Sequence, residues 1–148
     1  MTKLQRRRAA KRAAQTRKFY VFEDYGLTVP ESLLVDQSMN SLRALARRVW
    51  REFADPRQRI PQIVSGRGDV SSGGVRLSYA IGGWKFHRIV LARHQRTRYV
   101  LMHELTHALG PIEHGRAFAR LFGRLLERFG RVDSGLYTLQ GQFAGIKV

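Results

Sequence analysis

The sequence predicts an α+β fold, in which a small mixed sheet is combined with three helices. Short runs rich in β-branched and aromatic residues are typical of strands, whereas longer segments repeat apolar residues every three to four positions, as helices do. A length of 148 residues predicts one domain with its own hydrophobic core. No apolar run is long enough to span a bilayer, and none follows the basic N-terminal residues. We therefore predict a cytoplasmic protein with neither a membrane span nor a secretion signal.

The strands are predicted from runs of apolar and β-branched residues that end at turn-forming residues. The four segments are 19–22, 60–64, 75–81 and 84–92. Gly82 and Gly83 separate the last two runs, and two glycines at such a position are typical of a tight β-hairpin turn. The segment 65–74 is rich in glycine and serine and is expected to be a loop.

The helices are predicted from the positions of their apolar residues. The segment 40–54 has its apolar residues on one face and its arginines elsewhere, so we expect a helix, capped by Asn40, that backs the sheet. The segment 97–109 is apolar almost all round, which predicts a buried helix. The segment 114–129 has one apolar face and is followed by Gly130, a favourable C-cap residue.

The chain is strongly basic, with 27 Lys and Arg residues against 11 Asp and Glu residues and a formal net charge of +16. Eight of the basic residues lie within residues 1–18, which contain no acidic residue. This pattern predicts a basic, disordered arm over 1–18 that precedes a folded domain over 19–148. Such arms bind nucleic acid without sequence preference, because they displace counterions from the phosphates. Non-specific nucleic acid is therefore a predicted partner of the arm, and a solvated leader is the alternative.

The motif His103-Glu104-Leu105-Thr106-His107 carries the main functional signal. Residues four apart share one face of a helix, so the two imidazoles can reach one Zn²⁺ ion. Glu104 is displaced by about 100° around the helix, where it can take a proton from a water molecule without binding the metal. Burying these groups in an apolar helix costs free energy unless a metal ion accompanies them. The chain has no cysteine, which excludes thiolate zinc sites and a cysteine nucleophile.

A catalytic zinc takes three protein ligands and leaves one position open. His114 is the favoured third ligand, because it follows the motif closely and aligns with the apolar face of the next predicted helix. Glu113 stands where a metzincin has its third histidine, but no methionine follows the motif to form a Met-turn. Glu127 is the downstream carboxylate expected of a gluzincin, although helical spacing turns it away from His114. His87 and His94 are expected to be surface or structural residues.

The motif through Leu109, followed by His114-Gly115-Arg116-Ala117-Phe118, resembles the SprT-like zinc metallopeptidases. It is also similar to short metallohydrolases of actinobacterial and phage type. The resemblance implies a zincin-like fold, in which the active-site helix is followed by a helix that supplies a ligand. It also implies that His103, His107 and His114 bind zinc and that Glu104 is the general base.

These observations predict a zinc metallopeptidase that cleaves a protein or peptide with an activated water molecule. The strand 75–81 is expected to be a sheet edge along which an extended substrate can bind. The oxyanion could be stabilised by any of four side chains, Tyr79, Tyr99, Tyr137 or Arg116. The alternative is a basic nucleic-acid-binding protein with a structural or vestigial zinc site. In either case we expect a monomer that does not bind membranes.

Overall fold

The computed structural model describes residues 1–66, 74–80 and 83–148. Within these ranges the chain forms five α-helices and a three-stranded sheet, which confirms the predicted α+β class. None of the described helices is long and apolar enough to cross a membrane. The backbone divides into two compact units, one formed by residues 30–110 and the other by residues 1–29 with 111–148.

The sheet of the unit 30–110 consists of β1 (Gln62–Ser65), β2 (Gly74–Ala80) and β3 (Gly83–Leu91). The strand order is β1-β3-β2, with β1 parallel and β2 antiparallel to β3, so the predicted mixed sheet is confirmed. The predicted hairpin is the β2–β3 pair, which has an irregularity in register between Ser78 and Tyr79. Of the two predicted turn residues, Gly82 lies outside the described residues and Gly83 is the first residue of β3. Most of the predicted loop 65–74 also lies outside the described residues.

The predicted backing helix is α2 (Met39–Phe53), which packs against β1. Its cap is Ser38 and not Asn40, because the Ser38 hydroxyl accepts a hydrogen bond from the Ser41 N–H at 3.1 Å. The indole N–H of Trp50 donates to the carbonyl of Gln58 at 3.1 Å and holds the chain that leaves the helix. The apolar face is buried as predicted, through Leu42, Leu45, Ala46, Val49 and Trp50.

The predicted buried helix is α3 (Arg98–Leu109), which packs against α2 and the hairpin strands. It begins at Thr97, whose hydroxyl accepts a hydrogen bond from the Val100 N–H at 3.2 Å. It ends at Gly110, whose φ of 153° is a backbone conformation that favours glycine. The α3 helix therefore presents the motif on a segment that is fixed at both ends.

Two predictions for the N-terminal residues were wrong, because residues 3–21 form a helix, α1 (Lys3–Val21). The predicted arm 1–18 is helical, and its boundary with the domain falls inside α1. Alanine and arginine have high helix propensities, and Thr2 forms a capping box with Gln5. The predicted strand 19–22 is the end of α1 and the start of a π-helical turn, Phe22–Gly26.

The same unit contains α4 (Arg116–Gly130) and α5 (Ser134–Phe143). The start of α4 was predicted two residues too early, so His114 lies before the helix. Gly130 is its last residue, and Arg131 adopts the left-handed cap conformation that we predicted for a glycine (φ 56°). The α5 helix occupies most of the tail 131–148, to which the sequence pattern assigns no element.

The core of this unit explains why the aromatic run 19–22 is helical. Phe19 and Phe22 are three residues apart, lie on one face of the chain and are fully buried. Phe19 makes edge-to-face ring contacts with Phe118 and Phe122 of α4, at centroid distances of 5.1 and 6.1 Å. Tertiary packing therefore determines the conformation of this run more strongly than the β propensity of its residues does.

Replacing Gly123 with alanine is expected to lower the free energy of unfolding by about 1–3 kcal/mol, the usual cost of overpacking. An ideal Cβ at this position would lie 2.5 Å from the ring of Tyr137, so the ring must move. Chemical denaturation measures the loss. In a Tyr137→Leu background the same substitution should be neutral or stabilising, because the ring edge is gone and alanine favours the helix. An equal loss in both backgrounds would contradict the steric explanation.

Candidate metal centre

The α3 helix brings His103 and His107 together on one face, as the sequence predicted. Their ring centroids are 5.1 Å apart and the rings are inclined by 68°. His103 is 6% exposed, and His107 is half-buried. The α3 helix, which is capped at both ends, therefore holds two imidazoles close to each other, one helical turn apart.

Glu104 lies next to this pair and is also buried, with 9% of its surface exposed. The surrounding positions of α3 are apolar, and Leu101, Met102 and Leu105 are fully buried. An ionised carboxylate in such a position is costly unless charged or hydrogen-bonding groups accompany it. Its burial on a helix that also carries two imidazoles supports a chemical role for Glu104.

Thr106, the remaining polar residue of the motif, has a structural role. Its hydroxyl donates to the carbonyl of Met102, one turn earlier in α3, at 2.7 Å. The threonine therefore satisfies its own hydrogen bond within the helix, as buried hydroxyls commonly do.

His114 lies in the segment that precedes α4, and aromatic rings surround it. Its ring centroid is 4.7 Å from that of Phe118, 5.5 Å from that of Phe19 and 5.1 Å from that of Tyr20. The Thr16 hydroxyl lies 3.5 Å from Nδ1 of His114. A hydroxyl close to one ring nitrogen helps to orient an imidazole.

Thr16, Phe19 and Tyr20 were not predicted to have a role at the candidate site. All three belong to α1 and hold the ring of His114 from positions almost a hundred residues earlier in the chain. No helical or strand period links residues so far apart, so the sequence contains no local signal for them.

The ligand atoms of His103, His107 and His114 all lie within 4.8 Å of one another, so these residues could hold a metal ion. Three neutral imidazole nitrogens suit Zn²⁺ and other transition metals, whereas Ca²⁺ and Mg²⁺ require oxygen ligands. The donor set is therefore that of a possible transition-metal site.

The other candidate ligands do not join this cluster in the part of the chain that the structure describes. Glu127 is exposed on α4. Glu113 is exposed and forms an ion pair with Arg12 at 3.5 Å. His94 is exposed in a short 3-10 turn, whereas the side chain of His87 lies outside the described part.

One of the four groups proposed to stabilise an oxyanion has a structural role. The Tyr137 hydroxyl is buried and donates to the carbonyl of Ala119 at 2.6 Å. Burial raises the pKa of Tyr137, so the hydroxyl remains protonated and continues to donate. Tyr99 is half-buried in the first turn of α3 and Arg116 is exposed at the start of α4. The side chain of Tyr79 lies outside the described part.

The interpretation of this site depends on the chemistry of its residues, because comparisons with known proteins give no match. No protein-family model, curated protein or solved structure matches the chain.

Proposed function

We propose that the protein is a zinc-dependent hydrolase, and specifically a metallopeptidase with a zincin-like fold of the SprT type. The observation that carries this proposal is the buried turn of α3, which places His103 and His107 side by side with Glu104 next to them. A helix that only filled the core would use apolar residues at these positions, because burying a carboxylate costs free energy. The third ligand in this proposal is His114.

The proposed mechanism uses the chain's residues in distinct roles. His103, His107 and His114 would hold zinc, and Thr16 would orient the ring of His114. When bound, zinc polarises the substrate carbonyl and makes water more acidic. Glu104 accepts a proton from the attacking water and passes it to the leaving amine. The apolar residues of α3 exclude bulk water, which strengthens these electrostatic interactions.

The sheet offers a position for the substrate. Among the described strands, β2 lies at one end of the order β1-β3-β2 and pairs only with β3. An end strand can pair with an extended peptide through backbone hydrogen bonds. We therefore propose an extended protein or peptide segment as the substrate.

The charge of α1 supports a second partner. Its eight basic side chains are all exposed. Among the described residues, only one of them forms an ion pair, that of Arg12 with Glu113. Such a surface favours nucleic acid, bound through its phosphates. It also supports the alternative, a nucleic-acid-binding protein with a structural zinc site. A structural site takes four protein ligands, whereas three histidines cluster in the described residues, which favours the enzyme.

The enzyme proposal is tested by incubating the zinc-loaded protein with an unfolded protein substrate and counting new N-termini by mass spectrometry. We expect cleavage that a chelator stops and that added zinc restores. The His103→Ala variant should be inactive under the same conditions, since it lacks a ligand. Zinc binding by the wild type without metal-dependent cleavage would favour the alternative, and cleavage that survives both chelation and His103→Ala would refute the proposal.

A further inference from the structure

A cavity of about 320 Å³ lies in the unit formed by residues 1–29 and 111–148. Its walls come from α1, from the start of α4 and from the turn at residues 145–147. The described residues that line it include no carboxylate. They include four cationic side chains, those of Lys11, Lys18, Arg116 and Lys147.

The arrangement of α1 brings two of these lysines to the cavity. Lys11, Gln15 and Lys18 are spaced by four and three residues, so they lie on one face of the helix. Arg7 is one turn earlier on the same face, so the positive surface continues beyond the cavity. Helical periodicity thus places both lysines on the side of α1 that lines the cavity.

The opposite wall is a turn that depends on glycine. Gly145 has a φ of 73°, and an ideal Cβ there would lie 3.4 Å from Nζ of Lys18. The backbone can therefore pass close to the ammonium group. The next residue, Ile146, donates its N–H to the carbonyl of Gly141 at 2.7 Å, which fixes the turn and positions Lys147 at the cavity.

Four positive charges around one cavity repel one another, and the lining contains no acidic group that would offset this repulsion. A ligand with several negative charges and several acceptor oxygens removes the repulsion and satisfies the donors. A phosphate group has both properties, and arginine and lysine are its usual partners in proteins. The amide of Gln15 provides a further donor at the same cavity.

We propose that this cavity binds a phosphate group. The proposal goes beyond the hydrolase, because binding there requires neither zinc nor peptide cleavage. His114 also lines the cavity, so a bound phosphate would lie beside the proposed third ligand. The phosphate could belong to a free phosphorylated molecule or to a nucleic-acid backbone. The continuation of the positive face through Arg7 favours the backbone.

The test is a calorimetric titration of the full chain with inorganic phosphate, a nucleoside monophosphate and a short single-stranded oligonucleotide. The cavity variant is Lys11→Gln with Lys18→Gln. Its matched control is Arg6→Gln with Arg17→Gln, which removes the same charge from another face of α1. Zinc content and the thermal midpoint are measured for each protein, so that loss of metal or of folding is detected separately.

We expect the cavity variant to bind phosphate at least about tenfold more weakly, since two charge-assisted hydrogen bonds are lost, while the control stays within about twofold. Oligonucleotide binding that exceeds monophosphate binding, and that the cavity variant loses, identifies a nucleic-acid backbone as the source. Equal affinity for all phosphate ligands identifies a free phosphorylated molecule. Absence of binding of all three phosphate ligands by the wild type, or equal losses in both variants, would overturn the proposal. None of these results depends on whether the protein cleaves peptides.

Discussion

Purified His114→Ala protein is expected to lose its bound zinc, as His103→Ala and His107→Ala are. Each variant removes one of three clustered imidazoles, and two remaining ligands do not hold zinc against dialysis. Elemental analysis of dialysed protein should give about one zinc per chain for the wild type and far less than one for each variant. Added zinc should also raise the thermal midpoint of the wild type but not of the three histidine variants, since a ligand that binds only the folded state stabilises it by up to about 4 kcal/mol at a thousandfold excess over Kd.

Glu127→Ala is the control for this prediction. Glu127 is exposed on α4 and is the residue that a gluzincin-type site would use, so the variant should retain its zinc. Loss of zinc in Glu127→Ala together with retention in His114→Ala would show that the third ligand is Glu127 and not His114. Retention in all three histidine variants would show that these residues do not bind zinc.

The α3 helix and its motif could be predicted from the sequence, because their determinants are local. Thr97 caps the helix, Gly110 ends it, and the residues between them are apolar on nearly every side. The spacing of His103 and His107 alone then places both rings on one face. The β2–β3 hairpin was predictable for the same reason, since glycines lie between two runs of strand-forming residues in the sequence. Gly83 itself belongs to β3 and pairs with Ala80.

The α1 helix could not be predicted in this way, because its aromatic end depends on distant residues. Phe19 has the β propensity of an aromatic residue, but its ring packs on Phe118 and Phe122, about a hundred residues later. The dense positive charge of the preceding residues suggested disorder, whereas their alanines and the Thr2 cap favour a helix.

The residues that surround the ring of His114 could not be predicted from the sequence pattern either. His114 was chosen as a ligand from its position after the motif, on the assumption that it begins the next helix. It lies before α4 instead, and Thr16 and Phe19 of α1 hold its ring. The identity of a candidate ligand can thus follow from spacing, while the groups that orient it follow only from the fold.

Replacing Glu104 with glutamine is expected to leave zinc binding unchanged and to lower the rate of hydrolysis by about 10²–10⁴-fold, the usual contribution of a general base. Glutamine has the shape of glutamate, so it fits the same buried position of α3. Its amide cannot accept a proton at neutral pH, so the attacking water is no longer activated. The rate is measured with the unfolded protein substrate at saturating zinc, beside the zinc content of the same sample.

The same substitution at an exposed carboxylate, Glu113→Gln, provides the matched control. Glu113 follows the motif in sequence, is exposed and forms an ion pair with Arg12, so its loss should change the rate by less than about twofold. If Glu104→Gln loses zinc, Glu104 is itself a ligand, and the proposed set of zinc ligands must be revised to include it. If the variant keeps both zinc and the wild-type rate, Glu104 is not the base, and its burial on α3 must serve the stability of the helix and not the chemistry.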